Sequence, residues 1–518
     1  MASFLQQHAK LVSGMLSGWD RLRFRGTLTQ LCHSGGLSAF IYATGRLFKD
    51  FKSFALTSSE QLKKAAIGVA ERLNRPVIYL NSSRFSKEQI AKDHAKDEGI
   101  SDGLICCLSS VEPSSSFVIR KNATGRFDFV RAPRRCQHIY HYYMHPIFGL
   151  MHVRLQTWLP FDQFICINGR EWLGRTLDKL GVRKYLRKEN CFLQLDDLAQ
   201  AQQIMDQQVE FDWKPALDEI ADAVAPTLSQ VLAPLSMSYY WTITESEWAT
   251  DFMFNRTEDL SRLYPGLLRH AMIDFGSREL LRFLGQKVPL HGNCYGNYKG
   301  QVMTDLEHRV EGIRVKHRIG NNSIKMYNKQ GSVLRCETTF NRIEALKSPR
   351  RLEDGSVKWM PMRKGIADAR QRAQVSNQAN ERYLEAMATV TAPITLASVT
   401  RELCNPVTWN NQRIRGLNPL HEPDAQLLEA VSKGEFLLHG LRNRDLQAVF
   451  FPDATDSPKE KRRRSSQISR KLRMLRAHGL ISKLPSTHRY IVSGKGRRVI
   501  TALLTVRQAD INQLQKAA

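Results

Sequence analysis

In the segment YYWTITESEWATDFMF, residues Glu245, Glu247 and Asp251 share one parity. On a regular strand they therefore project from one face. Three acids on one face are costly unless water or a cation neutralises them. Downstream, NSIKMYNKQGSVLRCETTF reads as a hairpin with a Gly-containing turn. Its second strand directs Arg335 and Glu337 one way and Leu334 and Cys336 the other. Carboxylate oxygens suit a hard cation such as Mg²⁺ or Mn²⁺, which polarises a phosphate and lowers the barrier to its displacement. Glu337, Glu247 and Asp251 are the candidate metal ligands. His317, in the alternating strand IRVKHRI, completes the shell if that strand lies beside Glu337. A lone strand histidine is more commonly structural.

The residues Tyr327-Asn328-Lys329 followed by Arg335-x-Glu337 resemble a motif of rolling-circle replication initiators from plasmids and filamentous phages, over Ser323–Phe340 only. The resemblance implies that Glu337 helps to hold a divalent cation at the scissile phosphate. It also implies that a helix-borne tyrosine attacks, leaving a covalent phosphotyrosine link. Tyr383, in SNQANERYLEAMATV after the basic residues Arg363 and Lys364, is the phenol so placed. A half-buried helix position suits it equally. Asn328 stands where that family often has Asp, which puts the transfer in doubt at that position. Asp20, at the head of the alternating DRLRFRGTL, fits an RNase H-like carboxylate, but a turn-forming or salt-bridged role is the ordinary expectation for an isolated aspartate.

The elements that must position these residues form an α+β chain. HIYHYYMHPIFGLMHVRLQTW is a second hairpin, with Arg154, Gln156 and Thr157 echoing Arg335, Glu337 and Thr338. Duplicated antiparallel αβ units produce such an echo, as do two unrelated hairpins of common composition. The expected organisation is a mixed helical region at 1–125, αβ units at 126–235 and 236–404, a linker at 405–425, and a nucleic-acid-binding domain at 426–518. Arg21, Arg23 and Arg25 alternate onto one strand face and suit phosphate contacts, as do Lys325, Lys329 and Arg335. The segment HIYHYYMH, with Arg134 and Arg135 just upstream, reads either as a base-stacking surface or as core strand aromatics.

From Gln426 to Ala518 there are 19 Lys and Arg against 7 Asp and Glu, a net +12. Leu427, Leu428, Ala430 and Val431 open a first helix, and GLRNRDLQAVFF offers a second with Asn443 as its N-cap. In SSQISRKLRMLRAHGLI, residues Ile468, Leu472, Leu475 and Leu480 follow helical spacing and Gly479 supplies a stop. Arg470, Lys471, Arg473 and Arg476 lie largely off that seam. A basic hairpin follows around a Pro-Ser-Thr turn, with Arg489, Lys495, Arg497 and Arg498 on or near it. This order resembles the winged helix-turn-helix family, which implies a helix in the major groove and a wing on phosphates. A solvated basic tail on a small helical domain is the alternative. The upstream run Arg462, Arg463, Arg464 reads as a flexible arm that binds polyanions by counterion release.

The whole chain of 518 residues carries 76 Lys and Arg against 50 Asp and Glu, a net +26. Such an excess attracts a polyanion, so nucleic acid, DNA or RNA, is the expected partner. No apolar run is long enough to span a membrane and no signal peptide is evident, so a cytoplasmic protein without a membrane partner is expected. The nine scattered cysteines include no C-x-x-C, which excludes a zinc finger or a disulfide framework. P-loop, zincin and nucleophile-elbow motifs are absent. The whole chain is also similar to a bacterial family associated with multicopy, mobile-element-like genes, a likeness that implies no particular chemistry. The expectation is a mobile-element protein for metal-dependent DNA nicking or strand transfer. The alternative is a non-enzymatic binder of structured RNA or duplex DNA, as a ribonucleoprotein component or transcription regulator. Oligomeric state is left open.

Overall fold

The computed structural model describes residues 1–286, 302–388 and 396–508, apart from 83–84, 122, 183, 234, 236, 345, 434–435, 437–439 and 486. The chain is α+β and forms two units, one built from Met1–Pro265, Leu280–Gln286 and Gln301–Ala386, the other from the remaining residues, chiefly Met387–Ala518.

The first unit is organised by one sheet of eleven strands. In chain order these are β1 (Val12–Leu28), β2 (Val77–Tyr79), β3 (Gly103–Lys121), β4 (Phe127–His145), β5 (Gly149–Gln156) and β6 (Gln163–Asn168). After a separate hairpin of β7 (Tyr185–Lys188) and β8 (Cys191–Leu195) come β9 (Tyr239–Phe254), β10 (Val302–Arg309), β11 (Gly312–Ile319), β12 (Asn322–Lys329) and β13 (Val333–Phe340). The order is β10-β11-β12-β13-β9-β1-β6-β5-β4-β3-β2. Two long strands, β1 and β9, pair antiparallel at the centre. Each is flanked by a four-stranded antiparallel meander, β3 to β6 on the β1 side and β10 to β13 on the β9 side.

The segments expected as three separate units thus share one sheet. The halves repeat each other in topology, but not in the register the sequence suggests. By position in the meanders β5 corresponds to β12 and β6 to β13. The Arg154 and Arg335 motifs therefore sit on non-equivalent strands. β1 begins eight residues before the alternating DRLRFRGTL. As a central strand it is covered on both faces, and small residues replace the alternation there. At Gly18 an added Cβ would fall 2.3 Å from Met205 Cε and 3.1 Å from its Cβ, so the glycine leaves room for Met205 of the helix Leu198–Val209 to pack close to the strand.

One sheet face, with Leu22, Phe24, Ile139, Val153, Leu155, Ile165 and Ile167, packs under the helix Phe51–Arg72 in the largest apolar cluster. Tyr140 and Tyr142 belong to a smaller cluster on the opposite face with Ala91 of the helix Lys87–Asp97. They are 7% and 3% exposed, and His138 and His141 are fully buried, so HIYHYYMH is core rather than a stacking surface. Elsewhere on that face, Leu173, Leu177 and Met205 cover Leu16, Met253 and Val333.

In the second unit, the helices Glu422–Ser432, Asn443–Phe450 and Pro458–Ala477 pack together through Leu427, Leu428, Leu446, Ile468, Leu472 and Leu475. The strands Leu441–Arg442, Arg489–Val492 and Ile481–Lys483 form an antiparallel sheet in that order. Gly479 adopts φ +71° just past the third helix, the left-handed stop its position suggests. Ser486, in the expected wing turn, lies outside the described residues.

Three expectations change here. The third helix starts at Pro458, where the Ser457 side chain accepts from the Glu460 backbone N–H. That Ser-Pro-x-Glu start makes Arg462, Arg463 and Arg464 helical rather than a flexible arm. Asn443 caps no helix. Its side chain bonds the Ser465 carbonyl and Ser469 Oγ, tying the second helix to the third. Residues 405–425 carry a hairpin of Val407–Trp409 and Gln412–Ile414 and place Leu417 in the core. Asp424, fully buried, holds Arg415 at 2.6 and 2.7 Å. A segment so fastened is part of the folded unit, not a free linker.

Candidate metal centre

Three strands bring Asp20, Glu247 and Glu337 together, with one oxygen of each within 4.8 Å of the others. Glu337 lies on β13 and Glu247 on the adjacent β9, where Thr339 pairs with Glu247. Asp20 arrives from β1 through an irregularity: Trp19 pairs with Trp248 and Arg21 with Glu247, leaving Asp20 in a bulge. Bulges re-aim side chains next to functional sites, and here both Asp20 and Arg21 line the same cavity of about 490 Å³. Arg23, Arg309, Arg314, Lys325, Tyr327 and Lys329 line it too.

The three carboxylates are 2%, 8% and 4% exposed in chain order. Asn190, in the turn between β7 and β8, donates Nδ2 to both Asp20 oxygens at 2.9 and 3.0 Å. Lys325 Nζ bridges Glu247 at 2.9 Å and Glu337 at 2.5 Å. Thr339 Oγ1 donates to Glu247 at 3.2 Å. Burial opposes ionisation of Glu337, but the Lys325 ammonium and the Arg335 guanidinium outweigh it and hold the carboxyl at about 2. Burial and the neighbouring charge of Glu337 push Glu247 above its ordinary value. Lys325 is held in its charged form because the two glutamates overcome its desolvation.

The donor set fits a hard divalent cation. All three ligands are carboxylates, and the single ammonium among them neutralises one charge and leaves two. Arg335, which also approaches Asp20 at 3.3 Å, directs its main bonds elsewhere.

Four of the expected site residues take other roles. Asp251 shares the face of Glu337 but is enclosed by Arg335, at 2.6 and 2.9 Å, and by Arg170, at 3.1 Å. Those guanidinium groups outweigh its burial and keep it ionised, so its oxygens are not offered to a metal. His317 pairs with Ile324, which pairs with Thr338, placing it on the sheet face opposite Glu337. It contacts Thr304 Oγ1 at 2.9 Å and the Tyr383 hydroxyl at 3.2 Å, and burial lowers its pKa to about 4. Tyr383 is fully buried on that opposite side, beside Asn380, which bonds Thr338 and Cys336. Burial raises its pKa, and a sheet separates it from the triad. Arg335 itself is fully buried and cannot meet a nucleic acid.

The remaining expected contacts divide by exposure. Lys325 and Lys329 are each 5% exposed, and Lys329 is engaged by Asn190 at 2.6 Å and Glu311 at 3.5 Å. Arg21 is exposed, while Arg23 and Arg25 are half-buried along the same face of β1. Arg134 and Arg135 are exposed on β4, Arg134 lying 3.7 Å over the Trp158 ring. In the second unit Arg462, Arg463, Arg470 and Arg473 stand exposed on the helix Pro458–Ala477. Arg463 and Arg464 pair with Glu460, Lys471 lies over Phe450, and Arg476 lies over Trp409. Arg489 is half-buried on the strand Arg489–Val492, whereas Arg497 and Arg498, read in sequence with the wing, lie on the helix Gly494–Gln508, where Arg497 pairs with Glu279 at 3.2 Å.

Asp20 is the residue that sequence reasoning undervalues. Its only signal is an acid at the head of an alternating segment of arginine and apolar residues, and the bulge that turns it inward has no local signature.

No protein family, curated protein or solved structure matches the chain, so the centre is read from its geometry. No helix among the described residues is long and apolar enough to cross a membrane.

Proposed function

We propose that this protein cleaves or transfers phosphodiester bonds of nucleic acid, DNA in the first instance, with Mg²⁺ or Mn²⁺ held by Asp20, Glu247 and Glu337. The observation that carries the reading is the convergence of three buried carboxylates from three neighbouring strands in a cavity lined by both acidic residues and arginines. The cation would supply Lewis-acid polarisation of the phosphate and a lowered pKa for attacking water. The chain's own groups do the rest. Asn190 fixes Asp20, and Thr339 orients Glu247. Lys325 restrains the glutamates and presents positive charge where the transition state of phosphoryl transfer would develop negative charge. Arg21, 3.8 Å from Glu247 and 45% exposed, is placed to hold a neighbouring phosphate.

The attacking group is water rather than Tyr383, which sits across the sheet. The second unit supports a mobile-element context. Its order of helix, strand, helix, helix and hairpin is the one a winged helix requires, and its exposed arginine stripe suits a duplex. A cytoplasmic location follows from that partner. The test is incubation of the full chain with end-labelled single- and double-stranded DNA in Mg²⁺ or Mn²⁺. Cation-dependent cleavage lost in Glu337→Gln and Asp20→Asn supports the reading. Equal products from wild type and both variants, or none from any, contradict it and favour the alternative of a non-enzymatic binder.

A further inference from the structure

The sheet face that bears the triad carries a second feature outside the carboxylate chemistry. Phe164 on β6 is paired across the sheet with Arg154 on β5 and Arg25 on β1. Cross-strand partners share a face. All three side chains thus lie on the side that bears Arg21 and Arg23. The guanidinium carbons of Arg154, Arg25 and Arg23 stand 4.3, 5.7 and 5.8 Å from the Phe164 ring centroid. The ring is half-buried.

Of these cations, Arg25 is held by Asp162 at 3.0 Å and Arg154 lies 3.8 Å from Glu112. Among the described residues Arg23 has no ion pair, and Arg154 Nε, buried, has no hydrogen-bond partner. The row below Phe164 is His152, Cys166 and Arg23, and the next joins Asn168 to Arg21, which pairs with Glu247. By strand spacing and rise, Phe164 lies about 15 Å from the triad.

We propose that this row, Phe164 with Arg154, Arg25 and Arg23, is a binding track for single-stranded nucleic acid that leads into the cation centre. A sheet-borne aromatic flanked by guanidinium groups offers an unpaired base a π-face and its phosphates a positive rim. A duplex has no free base face to lay on the ring. The proposal rests on the cation-centre reading only for where the scissile phosphate lies. Binding itself needs no metal.

The experiment uses the full chain in EDTA. Fluorescent oligothymidylate and a duplex of equal length are titrated against wild type, Phe164→Leu and Arg23→Gln. A 5-iodouracil-substituted strand is then photocrosslinked and the adduct mapped by mass spectrometry. The expected results are a loss of about tenfold in single-strand affinity for Phe164→Leu with duplex affinity unchanged, and an adduct on the peptide holding Phe164. The log–log salt slope of Arg23→Gln should fall by roughly 0.7. Unchanged single-strand affinity, equal losses on both substrates, or adducts confined to other peptides overturn the proposal. Should Phe164→Leu fail to fold, an unchanged slope in Arg23→Gln overturns it alone. If the cation-centre reading fails instead, single-strand binding and the adduct persist while cleavage is absent.

Discussion

Replacing Lys325 with methionine separates the pairing of buried charges from the holding of a cation. In the wild type the ammonium bridges Glu247 and Glu337 at 2.9 and 2.5 Å. The variant leaves those carboxylates facing each other at 8% and 4% exposure. Removing one partner of a buried ion pair costs about 3–5 kcal/mol. For a unit of this size that lowers the melting temperature in chelator by on the order of 5 °C. A cation that binds the triad restores stability by mass action, about 2.7 kcal/mol at a hundred times its dissociation constant. Because Lys325 competes for the same oxygens, the increment on adding Mg²⁺ should be larger in Lys325→Met than in wild type. Differential scanning calorimetry with EDTA and with graded Mg²⁺ reads both increments. A variant destabilised in EDTA that gains no more from Mg²⁺ than wild type would show that the ammonium only balances charge, and the cation reading would lose its electrostatic basis.

Tyr383→Phe should leave cleavage within about twofold of wild type and cost roughly 1 kcal/mol in urea unfolding, for the lost contact with His317. A collapse of activity without loss of stability would restore the phenol as nucleophile. His138, His141, His152 and His317 are all held neutral by burial, with pKa values lowered to about 4. A folded state that binds fewer protons than the unfolded one loses stability as pH falls. Their contribution is therefore complete above about pH 6.5 and lost on approaching pH 4, which chemical denaturation across that range should trace. Glu247 titrates the other way: with its pKa raised by burial and Glu337, cation affinity should climb as pH rises above 4.5, measured by Mn²⁺ binding. Arg470→Ala and Arg473→Ala, on the exposed stripe of the helix Pro458–Ala477, should each lower the salt slope of duplex binding by about 1, with unit stability unchanged.

The parts of this structure that were legible in sequence are those fixed by local period. The seam Ile468, Leu472, Leu475 and the Gly479 stop are written in helical spacing, and the shared face of Glu245, Glu247 and Asp251 in strand parity. What was not legible depends on register between distant strands. His317 on β11 and Glu337 on β13 are separated by β12, and the pairing of His317 with Ile324 and of Ile324 with Thr338 places them on opposite faces; a shift of one residue would have reversed that. The same register puts Tyr383 behind the sheet. Asp251 has the parity of a ligand, but its partners Arg170 and Arg335 come from elements 81 positions before it and 84 positions after it. Asp20 needed a bulge to enter the centre. The repeat was visible as composition and misaligned by one strand, because short Arg-x-acid motifs recur on strands that are not equivalent.

The most direct test of the central claim is titration of the metal-free full chain with Mn²⁺, followed by electron paramagnetic resonance of the free ion, for wild type and for Asp20→Asn, Glu247→Gln and Glu337→Gln. The triad predicts saturable binding at neutral pH that Mg²⁺ displaces and that each of the three substitutions weakens, while Asp251→Asn and His317→Gln variants that remain folded retain it. Absence of saturable binding in wild type, or binding indifferent to all three substitutions, would contradict it.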